Sequence, residues 1–269
     1  MMKEDKSHIV VNNILYSCVD QKQRGNEQFV HEHALGYVIS GETHLITNDG
    51  VKIFKAGSVG LVRRNQLLKS IKVPPPGGEF KSLNIFLNQD FLRRYSTEHK
   101  IDPVCKYTGE YMRILSPDPF LKGYFDSLIP YFDHPDQLKS VLGELKTNEA
   151  IELLLRHDKS LKGFLFDFSE PYKINLEAYM NQNYMYNVPA AQFARLTGRS
   201  LASFKRDFEK IFNASPGQWL QQKRLSEAYY QISEKGRKPS DVYLDVGFEN
   251  LSHFSYTFKK AFGVAPSML

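Results

Sequence analysis

Cysteine is scarce in this chain. Of 269 residues only 2 are cysteine, Cys18 and Cys105, too far apart for the paired spacing of a metal site. A reducing compartment, the cytoplasm, is the simplest reading, with no disulfide framework. Long apolar runs are missing as well. None reaches the roughly 20 residues that a membrane-spanning helix needs, and the opening residues 1–6 lead into no secretory core. Catalytic signatures are equally thin. There is no G-x-S-x-G, no phosphate-cradling loop, no C-x-x-C and no convincing carboxylate pair. The chain is therefore read as a non-enzyme, with no catalytic residues and no cofactor. A hydrophobic fraction of 42% with 13% aromatics argues against long disorder and for ordinary folded cores.

What the chain does contain is one pattern written twice. Phe204, Phe208, Lys210, Phe212 and Pro216 recur as Phe254, Phe258, Lys260, Phe262 and Pro266, each 50 positions on, and Gly198 recurs as Gly247. A repeat of this period marks a structural unit used twice. Within each copy the phenylalanines stand at i, i+4 and i+8, which draws one apolar stripe along a helix. Each helix is expected behind a glycine and a capping residue: Ser200 in the first copy, Asn250 and Ser252 in the second. A shorter helical run precedes each glycine, residues 189–196 and 239–246, opening on Pro189 and Pro239. Short helix, glycine turn and longer helix make a helix-turn-helix, whose second helix enters the DNA major groove.

The face opposite the phenylalanines carries Ala202, Ser203, Lys205, Arg206 and Glu209 in the first copy. In the second it carries Ser252, His253, Ser255, Tyr256 and Lys259. Small, hydroxylated and basic side chains near a helix start reach base edges and phosphates. For one helix a merely solvated face is the better reading; two such helices at a fixed spacing favour nucleic acid.

Residues from about 174 to 269 resemble the DNA-binding domain of AraC/XylS-type transcription regulators. The run from Val246 to Pro266, with Gly247, Phe248, Asn250, Ser252, Phe254, Phe258, Lys259, Gly263 and Pro266, carries the resemblance. It implies two helix-turn-helix units joined by a long helix from Pro216 to Ile232, whose buried face would be Trp219, Leu220, Leu225, Ala228, Tyr229 and Ile232. It implies promoter DNA as partner, RNA polymerase beside it, and activation as the commoner behaviour. The DNA-binding set is then Ser200, Ala202, Ser203, Lys205, Arg206, Asn250, Ser252, His253, Tyr256 and Lys259. Three departures stand out: Tyr256 where the family usually has arginine, Tyr243 where it often has alanine, and no basic tail after Leu269. They predict that the first unit reads sequence more sharply than the second. Charge agrees in direction: residues 169–269 hold 13 Lys or Arg against 9 Asp or Glu, whereas residues 1–168 are nearly balanced at 22 and 21.

The whole chain reads as an α+β multidomain protein. Residues 1–90 form a cupin-like β-barrel or jelly roll, 91–168 a helical linker and possible dimerisation region, and 169–269 the all-α DNA-binding domain. Residues 36–47 alternate loosely into the turn signal Asn48, Asp49 and Gly50, and 51–54, 59–62 and 80–87 read as further strands. The run from 31 to 62 resembles the cupin-like sensory domain in front of many such regulators. His31 and His33, spaced H-x-H, would share one face of a strand. Tyr37 stands where a metal-binding cupin has glutamate and no later histidine matches, so no metal is expected. His31, His33, Tyr37 and Arg63 are instead candidate ligand residues, with a solvated basic turn the stronger reading for Arg63 and Arg64. Helices are expected from Phe91, over Pro119–Phe132 and Asp136–His157, and over Leu161–Phe168, with Pro171 at the boundary. The wide apolar face of the longest could meet a second copy of the chain. Two alternatives remain open: a cupin-type metal-dependent enzyme fused to a DNA-binding domain, and a regulator gated by a protein partner rather than a small effector.

Overall fold

The computed structural model describes residues 8–25, 28–102, 106–134, 137–138 and 140–269. Cys105, the opening residues and the expected helix start at Asp136 lie outside them. The chain divides into two compact units, residues 1–169 and 170–269.

Among the described residues twelve strands build the front unit: β1 (His8–Val11), β2 (Ile14–Val19), β3 (Gln23–Arg24), β4 (Phe29–Val30), β5 (His33–Ser40) and β6 (Glu42–Thr47) come first. Then follow β7 (Gly50–Lys55), β8 (Val59–Val62), β9 (Gln66–Leu67), β10 (Lys69–Val73), β11 (Phe80–Leu87) and β12 (Met112–Leu115). They pair antiparallel throughout. One sheet has the order β1-β2-β11-β5-β8-β12, a second β3-β10-β6-β7, and β4 pairs with β9. The expected turn closes the β6–β7 hairpin, with Thr47 opposite Gly50.

Alternation along the strands decides what each face meets. On β5, β8 and β11, the residues Leu35, Tyr37, Leu61, Leu83 and Ile85 face a helical layer. Their neighbours Val38, Val62 and Phe80 join Phe54 in the core between the two sheets. The helical layer consists of α1 (Gln89–Glu98), α2 (Pro119–Leu128), α3 (Pro130–Asp133), α4 (Ser140–His157) and α5 (Leu161–Phe166). Leu121, Phe125, Ile151, Leu154, Phe164 and Leu165 are among the side chains it buries.

Two expectations need correction here. Residues 119–132 form two helices rather than one, because Pro130 lacks the N–H a continuing helix requires and restarts it as α3. The stretch 90–168 is not wholly helical: β12 lies inside it and pairs with β8. Gly109 before it and Ser116-Pro117 after it are turn signals, but a run of only four residues leaves little periodicity to detect.

The rear unit is helical: α6 (Leu176–Asn183), α7 (Ala190–Leu196), α8 (Leu201–Phe212), α9 (Pro216–Ser233), α10 (Pro239–Asp245) and α11 (Leu251–Phe262), then a 3-10 turn at Pro266–Met268. Pro216 stands in the first turn of α9, behind a capping box of Ser215 and Gln218. Leu220, Leu225, Ala228 and Ile232 form the buried face of α9. Trp219 is only half-buried, and Tyr229 is 38% exposed.

Candidate nucleic-acid interface

The two long helices α8 and α11 are positioned by matching local devices. Ser200 caps α8, its side chain accepting from the Ser203 N–H at 3.2 Å. Asn250 does the same for α11, accepting from the His253 N–H at 3.0 Å. Ser200 and Asn250, both in the expected DNA-binding set, therefore already serve as caps. At the far ends Asn213 and Gly263 turn left-handed and donate to Glu209 and Lys259 carbonyls.

Both turns need glycine. Gly198 has φ +65, and a Cβ there would lie 2.2 to 2.4 Å from the backbone of Tyr172 and Lys173. Gly247 has φ +100, and its Cβ would meet the Met185 carbonyl at 2.7 Å and the Arg224 side chain at 2.9 Å. Backbone approach this close fixes each turn against the segment before it.

The phenylalanines face inward as the spacing predicts. Phe204, Phe208, Phe254 and Phe258 are fully buried. Ring centroids are 5.5 Å apart in both pairs, and Phe212 and Phe262 extend each ladder at 4.4 and 4.7 Å. One aromatic of α9 closes each ladder: Trp219 lies 4.6 Å from Phe212, and Tyr229 lies 4.8 Å from Phe262. The opposite faces are left to solvent. Ala202, Lys205 and Arg206 are exposed on α8 and Ser203 is half-buried; Ser252, His253, Tyr256 and Lys259 are exposed on α11. The Arg206 side chain, 76% exposed, keeps only loose contacts, 3.5 Å to the Ser203 hydroxyl and 3.9 Å to Asp207. A guanidinium so lightly held is available to a base or a phosphate.

Three supporting residues went unread in the sequence. Arg199 is almost fully buried and donates through Nε to Asp207 at 3.1 Å, and through Nη1 to the Thr197 and Ile174 carbonyls. Lys173 approaches the same carboxylate at 3.4 Å. The bond from Arg199 holds the Asp207 carboxyl below its ordinary value, with Lys173 adding to it and partial burial opposing. In the second copy Arg224 of α9 donates to the carbonyls of Tyr184, Tyr186 and Gly247 and to the Asn187 side chain. Burial pushes its guanidinium down to about 10, with Glu249 opposing, so it stays charged at neutral pH. A signal did exist: Arg224 occupies the i+4 run Leu220, Ala228, Ile232 that forms the buried face.

The front-unit candidates do not come together. His31 precedes β5 and is exposed, its ring edge-on to Phe29 at 4.5 Å. His33, on β5, is fully buried against Phe164 in the helical layer. The expectation that the two share a strand face is therefore wrong, because the strand begins only at His33. Burial pushes the His33 imidazole down to about 3, so it is neutral, and its Nδ1 accepts from the Arg64 N–H at 3.4 Å. The basic pair is no solvated turn either. Arg63 pairs with the buried Asp167, and Arg64, 2% exposed, donates to the Ser169 carbonyl at 2.9 Å. Burial raises the Asp167 carboxyl, yet bonds from Ser169 and the Tyr107 N–H and the Arg63 charge outweigh it and hold it below its usual range. Among the described residues no three His, Cys, Asp or Glu side chains gather as a metal site would need. Tyr37 lines an open cleft of about 590 Å³ together with Ser58, Ile114, Asp118 and Lys122. Between the sheets a smaller cavity of about 80 Å³ is lined by Tyr37 as well, with Val38, Thr43, Leu45, Phe54 and Asn84.

Comparison with known proteins follows this division. Residues 193–269 match the model of a helix-turn-helix domain, and residues 33–165 match that of the ExsA N-terminal regulatory domain. The thermoregulatory protein LcrF of Yersinia pestis is 24% identical over 259 residues, 94% of this chain and 91% of that protein. The transcriptional regulator ExsA of Pseudomonas aeruginosa is 22% identical over 240 residues, 88% of this chain and 85% of its own. The virulence regulon transcriptional activator VirF of Yersinia enterocolitica is 27% identical over 165 residues, 60% of this chain and 59% of its own. A crystal structure of ToxT from Vibrio cholerae aligns over 98% of this chain and 97% of its own, at 14% identity and a TM-score of 0.41.

Proposed function

As the chain is a DNA-binding transcription regulator of the AraC/XylS type, we propose that it activates transcription by laying α8 and α11 into successive major grooves of promoter DNA. Such grooves are roughly 34 Å apart along the duplex. The observation that carries this reading is the paired exposed face of α8 and α11, each backed by a buried phenylalanine ladder and capped in the same way. Ala202, Ser203, Lys205 and Arg206 read from α8; Ser252, His253 and Tyr256 read from α11, with Lys259 on phosphate. Ser200 and Asn250 hold the helix starts, where free N–H groups favour a phosphate. RNA polymerase is the downstream partner and the cytoplasm the place of action. Selection of duplexes from a randomised library on the full chain tests the reading. A two-part motif whose affinity falls steeply with salt is expected; a chain that enriches no sequence would overturn it.

A second reading concerns the front unit. Small-molecule pockets run from about 300 to 1,000 Å³. The cleft beside Tyr37, at about 590 Å³, has that size, while the cavity between the sheets, at about 80 Å³, does not. A small effector is therefore assigned to the cleft, and His31, His33 and Arg63 to no part of it. Ile114→Trp, at an exposed lining position, is expected to abolish thermal shifts produced by amphipathic compounds on the full chain; shifts that persist would return the front unit to a protein partner. Val141 and Leu145, 71% and 58% exposed one turn apart on α4, are the surface on which a homodimer would form. Sedimentation at rising concentration tests that, and a chain that stays monomeric would remove it.

A further inference from the structure

The two reading helices differ most at the centre of their exposed faces. Arg206 and Tyr256 stand 50 positions apart in the repeat, six residues behind matching caps, and each points away from its phenylalanine ladder. One copy therefore presents a guanidinium where the other presents a phenol ring. Tyr256 is 70% exposed. Its flanks one turn away are Ser252, too short to cover the ring, and Lys260, exposed like Lys259. No arginine lies on α11. The helix thus offers no forked donor for the O6 and N7 of guanine. Its two lysines act as point charges suited to phosphate, near its far end.

An apolar ring in a major groove has one distinctive target. Thymine alone among the four bases carries a methyl group there, and apolar contact with that methyl is an established mode of base reading. We propose that Tyr256 is a specificity-determining residue: its ring packs on thymine C5-methyl groups, so the half-site facing α11 is A·T, while Arg206 reads guanine in the half facing α8. The inference rests on the DNA-binding reading above and adds the class of base each helix takes.

Deoxyuridine tests it, because it keeps every hydrogen-bonding group of thymidine and lacks only the methyl. Duplexes selected on the full chain are remade with each thymine replaced in turn. One or two replacements, clustered in one half, are expected to weaken binding roughly fourfold per methyl. That sensitivity is expected to vanish in Tyr256→Ala, to survive in Tyr256→Phe, and to survive in Arg206→Ala, which instead loses discrimination at guanines in the other half. The proposal falls if no thymine is sensitive or if Tyr256→Ala keeps the sensitivity. It also falls if Tyr256→Phe behaves like Tyr256→Ala, since the hydroxyl would then be the reader. A chain that selects no sequence at all would sink the DNA-binding reading itself, a different failure from selective binding that ignores the methyl.

Discussion

The two helix-turn-helix copies share a frame and differ in what braces it. In both, a left-handed glycine, an N-cap and three phenylalanines set a helix so that one side is buried and the other free. The braces are unrelated. The first copy leans on Arg199, Asp207 and Lys173, a charged cluster that ties the middle of α8 to the turn before it. The second leans on Arg224, which reaches from α9 to three backbone carbonyls, one of them at its own glycine turn. Where the first copy has Asp207, the second has Thr257, whose hydroxyl donates to the His253 carbonyl. Geometry that must be reproduced is written twice in the sequence, and support that can be met in several ways is not.

The largest effect expected from this contrast is at Arg224. Arg224→Met keeps the aliphatic stem but leaves the Tyr184, Tyr186 and Gly247 carbonyls without their charged donor, a cost of about 3 kcal/mol or more. Trp219, the one tryptophan of the chain, touches Phe208 and Phe212 of the first copy. Its fluorescence should hold to higher urea than the loss of helical circular dichroism in this variant. Coincident transitions would mean that the copies unfold as one, and the contrast in bracing would carry no energetic meaning.

The glycine turns come next. Alanine at either position pays the left-handed strain of roughly 1–2 kcal/mol. At Gly198 all three nearest atoms are backbone, whereas at Gly247 two of the three belong to the Arg224 side chain. Gly198→Ala should therefore cost more stability than Gly247→Ala, more than about 2 kcal/mol in total, read as the larger fall in urea midpoint. Equal losses would show that the Tyr172–Lys173 segment yields as readily as a side chain. Third in size is Arg206→Ala, expected to weaken a selected duplex by roughly 1–3 kcal/mol with guanine preference lost. Tyr256→Ala should cost less, and the reverse order would make α11 the sharper reader.

These contrasts also mark how far the sequence could be read. The frame was legible because its parts are local: caps, glycines and a phenylalanine period lie within 20 residues of one another, and α7 to α11 fall where those signals placed them. Arg224 and Arg199 were not, since most of their partners are backbone carbonyls, 23 to 40 and 2 to 25 residues away, and a carbonyl leaves no mark in the sequence. In the front unit the strands were visible from turns and alternation, yet the face on which His33 lies depends on where β5 begins. A start two residues later than supposed separates His31 from it. Arg63 and Arg64 look like a basic turn until Asp167, about a hundred residues on, is folded beside them.

The smallest effect expected tests the bracing of the first copy by acid. The Asp207 carboxyl sits below its ordinary value of 3.8, chiefly through the Arg199 bond and then the bond and charge of Lys173. A depressed value means that the folded protein resists protonation there more than the unfolded chain does. The contribution is therefore complete above about pH 4, and it is lost as pH falls through the depressed value. Thr257 gives the second copy no such dependence at the matching position. In Asp207→Asn the Trp219 transition should move to lower urea at pH 7, and the gap from the unaltered chain should close as the pH drops below about 4. The shift should be small, because the carboxylate is close to solvent, and added salt should shrink it further. A gap that stays constant down to pH 3 would mean that Asp207 supports the turn by shape and hydrogen bonding alone. Charge would then have no part in setting the two copies apart.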